Sequence, residues 1–102
     1  MLTSVDADVI RVLGDPLRWR IVNLLARETL CTTHLVEETG AKQTNLSNHM
    51  RVLREAGLVE TEPCGRFTYY RLRPGVLAEL SGRFAQLAES AHGAAENRRP
   101  CT

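Results

Sequence analysis

The run from Cys31 to Glu55, CTTHLVEETGAKQTNLSNHMRVLRE, limits the possible folds of this chain more than any other stretch. It divides at Gly40, since glycine takes the left-handed conformation that ends a helix without steric cost. Before it, Thr32 to Thr39 reads as a short helix with Leu35 and Val36 on its inner side. After it, Leu46, Met50 and Leu53 stand at i, i+4 and i+7 in a run from Gln43 to about Ala56, one buried stripe on a second helix. Thr44, Asn48, Arg51 and Glu55 fall opposite that stripe, flanked by Asn45 and Ser47. This outer face offers amides, hydroxyls and a guanidinium, the groups that bond base edges and phosphates in a major groove. Two helices and a tight turn of this kind form a helix-turn-helix whose second helix reads DNA. A helical hairpin with a solvated polar face fits the same pattern, so the flanking residues decide.

Upstream, residues 1–13 predict a helix capped by Thr3 or Ser4, with Val5, Val9, Val12 and Leu13 on one face. Gly14 interrupts it. Asp15 then caps, and Pro16 opens, a second helix reaching about Arg27, with Leu17, Ile21, Leu24 and Leu25 as its buried stripe. Trp19 lies off that stripe, at a subunit contact or the rim of the core. Downstream, Gly57 ends the reading helix. LVETE and RFTYYRLR flank the turn signal Pro63-Cys64-Gly65, which predicts a hairpin with Tyr70 and Leu72 toward the core. A hairpin directly after a reading helix is a wing, and Arg66 stands at its tip, placed for phosphate or a minor groove.

Pro74 opens a last helix on which Leu77, Leu80, Phe84, Leu87 and Ala91 recur at alternating spacings of three and four. That seam suits a second copy of the chain, with packing back on its own core as the alternative. The expectation is a homodimer joined by the helices around Val9 and Phe84. The fold class is therefore mainly α with a β-hairpin wing (α+β): a winged helix-turn-helix of four helices, two strands and a fifth helix, in that order. Residues 1–92 form the DNA-binding and dimerisation domain, and the aperiodic residues 93–102 a flexible C-terminal tail.

At 102 residues the chain suits one domain. Its net charge is only +1, but Lys42 to Arg73 carries six bases against three acids, leaving the remainder at −2. Positive charge thus gathers at the reading helix and wing, mostly as arginine, which forks onto phosphate or guanine. Cys31, Cys64 and Cys101 are too few and too dispersed for a disulfide scaffold; they read as core fillers, soft-metal ligands or redox thiols. No apolar run is long enough to span a bilayer, and the acidic start MLTSVDADVI lacks the layout of a signal peptide, so the expected compartment is the cytoplasm. No glycine-rich phosphate loop, H-E-x-x-H or readable nucleophile–base pair points to an enzyme. The rival of another class is a winged-helix module that binds protein instead of DNA.

Three segments, LGDPLRWRIVNLL, TNLSNHMRVLREAGLV and GRFTYYRL, together resemble the ArsR/SmtB family of winged-helix, metal-responsive repressors over roughly residues 10 to 80. The resemblance implies a homodimer with the first and last helices at its interface. It also implies an imperfect palindromic operator and an inducer that weakens operator binding. It places DNA contacts at Gln43, Thr44, Asn45, Ser47, Asn48 and His49, to which the helical wheel and wing add Arg51 and Arg66. For His49 the alternative is a half-buried histidine bonding backbone.

The sensor departs from the family's patterns. Where arsenic sensors often carry C-x-C, this chain has LCTTHL, with Cys31 present and Thr33 in place of the second cysteine. On the last helix, Glu89, His92 and Glu96 lack the spacing of the zinc and cobalt sensors. Two inducer sites follow from residue chemistry. Cys31, Cys64 and Cys101 would suit As(III) or Sb(III), which prefer thiolates. Alternatively Cys31 and His34, at i and i+3, with Glu37 or His92, would suit Ni2+ or Zn2+.

Overall fold

The second helix begins where its residues require. Asp15 takes an extended N-cap conformation, accepts a 3.0 Å hydrogen bond from the Arg18 backbone N–H, and hands over to Pro16 at the first helical position. In the computed structural model, which describes residues 4–101, the elements are α1 (Ser4–Leu13), α2 (Pro16–Leu25), β1 (Leu30–Cys31), α3 (Thr32–Thr39), α4 (Gln43–Glu55), β2 (Val59–Cys64), β3 (Phe67–Leu72) and α5 (Pro74–Ala94). Thr3, one of the two expected caps of α1, lies outside the described residues.

The core is one cluster to which every helix contributes. Val9 and Val12 of α1, Ile21, Val22 and Leu25 of α2, Leu35 of α3, Leu46, Met50 and Leu53 of α4, and Leu80 of α5 close around Leu30, Leu58 and Val59. The predicted stripe of α4 is thus fully inside. Gly40 ends α3 at φ 71° and Gly57 follows α4 at φ 78°, both in the left-handed region.

Three strands form one antiparallel sheet in the order β1-β3-β2. The hairpin registers Val59 on Leu72, Thr61 on Tyr70 and Cys64 on Phe67. Its two-residue turn is Gly65-Arg66, with Gly65 at φ 61°. Pro63 and Cys64 therefore belong to β2 and not to the turn. Pro63 is tolerated because β2 lies at the sheet edge, where a missing N–H breaks no ladder. β1, which the sequence reading did not contain, pairs Leu30 with Tyr70 and Cys31 with Tyr69, fastening the wing to the start of α3.

The structure corrects the packing expected of α1 and α2. Val5 is 65% exposed, and Asp6 is buried instead, accepting a 3.2 Å hydrogen bond from Arg83 Nε of α5. Val9 is buried in its own chain, while Val5 and Ile10 of the same helix remain exposed. In α2, Val22 is buried while Leu17 and Leu24 pack only partly against the core. On α5, Leu80 is buried and Leu77 packs partly at home, whereas Phe84 and Leu87 remain about half exposed. α5 also runs two residues past the expected end of the domain, to Ala94. Among the described residues no helix is long and apolar enough to cross a membrane.

Candidate nucleic-acid interface

The turn between α3 and α4 is closed from both sides. Thr39 Oγ1 donates to the Leu35 carbonyl at 2.6 Å and accepts from the Ala41 N–H at 3.2 Å, and Arg20 of α2 donates to the Glu38 carbonyl at 2.7 Å. The Arg20 bond satisfies a carbonyl left open at the end of α3. Together these bonds fix α4 so that Leu46, Met50 and Leu53 point inward and the opposite side faces solvent.

That solvent side carries Gln43, Thr44, Asn45, Ser47, Asn48 and Arg51, all exposed. Arg66 is exposed at the wing turn. Lys42, Arg51, Arg54 and Arg66 form no ion pair among the described residues. Exposed cations without internal partners are what a phosphate surface requires.

The other arginines of the wing differ. Arg71 is hydrogen-bonded to Glu60, which raises the pKa of its guanidinium, and lies 3.9 Å from Glu62; Arg73 lies 3.9 Å from Glu60. The excess positive charge read from the sequence is therefore concentrated on α4 and Arg66, because the base of the wing neutralises itself.

His49 occupies a different position from its neighbours. It is half-buried, with Nδ1 3.1 Å from the Arg18 guanidinium and 4.0 Å from the Asp15 carboxylate. The backbone N–H of Arg18 holds the Asp15 carboxyl below its ordinary range, against a smaller opposing effect of burial. The alternative for His49, a half-buried histidine bonding backbone, has the right burial but a different partner, a side chain 31 residues away. No local spacing in the sequence signals that link.

The sensor candidates are dispersed. Cys31 is buried at the N-cap of α3, while Cys64 and Cys101 are exposed. His34 accepts the Cys31 backbone N–H on Nδ1 at 3.2 Å and meets Tyr69 edge-on at 6.1 Å, so this ring fastens the start of α3. Among the described residues no three His, Cys, Asp or Glu side chains come together as a metal site. The thiolate trio and the Cys31–His34 set both fail to assemble a complete donor shell within one chain.

A three-stranded sheet whose hairpin projects beside a helix-turn-helix, with a polar, cationic outer face on the second helix of the motif, defines a winged-helix DNA-binding protein. Residues 15–61 match the profile of the arsR family of bacterial regulatory proteins. The regulator NmtR of Mycobacterium tuberculosis is 32% identical over 94 residues, covering 92% of this chain and 78% of NmtR. The arsenic resistance regulator ArsR1 of Pseudomonas putida is 39% identical over 69 residues, 67% of this chain, which spans only 54% of that relative. An ArsR-like regulator from Rhodococcus sp. RHA1 superposes with a TM-score of 0.80 at 26% identity, over 90% of this chain and 88% of the other. The chain belongs to the ArsR/SmtB family of transcriptional regulators.

Proposed function

We propose that this protein is a homodimeric repressor that binds double-stranded operator DNA through α4 and Arg66 and is released by a thiophilic metal or metalloid, in a cytoplasmic setting that keeps its thiols reduced. The observation that carries DNA binding is the solvent face of α4, where Gln43, Thr44, Asn45, Ser47, Asn48 and Arg51 lie exposed beside unpaired cations. Asn48 and Ser47 are oriented to read bases, whereas Arg51 and Arg66 hold phosphate. Support for the dimer comes from Phe84, Leu87 and Trp19, large apolar side chains exposed on α5 and α2.

A gel shift with genomic fragments and excess competitor DNA tests the reading: a retained preferred fragment supports it, and equal binding to all fragments, or none, removes it. Asn48→Ala should weaken the preferred duplex by about 1–3 kcal/mol per contacted base and relax specificity. Arg66→Ala should weaken all duplexes alike and flatten the salt dependence by about one ion per site. An unchanged preferred-to-random ratio for Asn48→Ala would take that residue out of base reading.

For the inducer, As(III) or Sb(III) comes first because the chain offers three free thiols, one of them, Cys31, at the entry of the motif. The described residues of one chain do not complete the shell, so the remaining ligands would come from the second copy. Ni2+ or Zn2+ at Cys31 and His34 is the alternative, with Nε2 as the ring nitrogen not engaged by the Cys31 N–H. A panel of As(III), Sb(III), Ni2+, Zn2+, Co2+ and Cd2+, read as release of the retained fragment, separates these. Cys31→Ser should keep DNA affinity and lose release; full release by As(III) in that variant removes Cys31 from the sensor.

A further inference from the structure

Arg18 is a three-way connector. Its backbone N–H is capped by Asp15, its Nε donates to the Val12 carbonyl in the last turn of α1 at 2.7 Å, and its Nη1 meets His49 Nδ1 of α4 at 3.1 Å. An arginine has no acceptor atom, so Arg18 must donate and His49 Nδ1 must accept. Nδ1 can take that hydrogen bond in the tautomer that carries its proton on Nε2. The charged groups placed against His49 are Arg18 and Asp15, both from the start of α2.

We propose that His49 is a positioning residue: as a neutral acceptor it ties the reading helix to the α1–α2 junction through Arg18, and its protonation breaks that tie and weakens DNA binding. The inference rests on the DNA-binding reading above. A protonated ring has no lone pair on Nδ1 for Arg18, and two cations would face each other at hydrogen-bond distance. The ring's other charged neighbour is Asp15, at 4.0 Å, which stays ionised because its carboxyl is held below the ordinary range. Turning toward Asp15 would set the imidazolium in competition with the N-cap of α2. Either response shifts α4 against the body, and a reading helix tolerates little shift before its contacts with base edges fail.

The sign of the pH effect separates this role from direct phosphate contact. A histidine touching phosphate binds DNA more tightly when protonated, whereas one held by Arg18 binds it less tightly. The probe is a short duplex recovered by this protein from a random-sequence pool, titrated between about pH 8 and pH 5.5. Wild-type affinity should fall about five- to tenfold on acidification, the lower end of ordinary coupling between sites. His49→Asn, whose Oδ1 supplies an acceptor near the position of Nδ1 and does not titrate, should lack that fall, while His34→Asn should retain it. Coincident profiles for wild type and His49→Asn, or a His49-dependent rise in affinity, would overturn the proposal. Absence of any recovered duplex would remove the DNA-binding reading instead. The connector is then judged in the free protein, where backbone amide resonances of α2 and α4 should titrate together with the His49 ring. Titration of the ring alone would overturn it.

Discussion

Asp15 shows what a single side chain contributes here. Its carboxylate satisfies one of the donors left open at the start of α2, so Asp15→Ala should cost about 0.5–2 kcal/mol of unfolding free energy by urea titration. The native pKa is lowered from the ordinary 3.8. The contribution is therefore complete above that value and lost as pH falls through the lower native one, because there the folded state must take up the proton. The gap between wild type and Asp15→Ala should accordingly hold from neutrality down to about pH 4 and close only below it. Asp15, Pro16 and Gly40 were legible from the chain because capping and left-handed backbone are local chemistry. Asp6 and His49 were not, since their partners lie 77 and 31 residues away and no periodicity encodes such meetings. In α1 the burial of Asp6 in place of Val5 follows from Arg83, which makes an inward carboxylate tolerable.

Among the elements, α3 and α4 were the most legible, because a three-residue stripe around a left-handed glycine leaves few other foldings. Leu46 is fully buried at the start of that stripe, and Leu46→Ala should destabilise the chain by about 2–5 kcal/mol in the same urea titration. Gly40→Ala meets no atom within 4 Å of the added methyl, so its cost is the left-handed conformation alone, about 1–2 kcal/mol. β1 escaped the sequence reading because two residues cannot show an alternating pattern, and both Leu30 and Cys31 are buried. Its pairing explains how Cys31 sits at once in the sheet and at the helix start, between β3 and α3. The candidate site was legible as a helical face, through the outward positions of α4, while its division into unpaired cations and a self-neutralised wing base required the spatial placement of Glu60.

At the scale of the whole molecule, the chain measures 65 × 23 × 22 Å with a radius of gyration of 17.7 Å. A compact domain of this length would have a radius near 13 Å. α5 fits that elongation: its first half packs at home through Leu77 and Leu80, and beyond Arg83 its residues are exposed. Phe84→Glu should leave the monomer's core intact and shift the species seen by light scattering toward one chain, since Phe84 is not part of that core. A wild-type solution containing only monomer at micromolar concentration would remove the dimer from the functional reading.

The half-exposed Phe84 and Leu87 also bear on dosage. If α5 finds its remaining contacts only on a second copy, folding and pairing share one mass-action law, and the melting temperature should climb as the protein is concentrated. Below the dissociation constant of the pair, the supply of paired reading helices would grow with the square of the copy number. Halving synthesis would then cut occupancy of a weak binding site about fourfold, a threshold response that a monomeric binder lacks. Titrating protein against a fixed trace of DNA measures this as a slope of two, rather than one, on logarithmic axes.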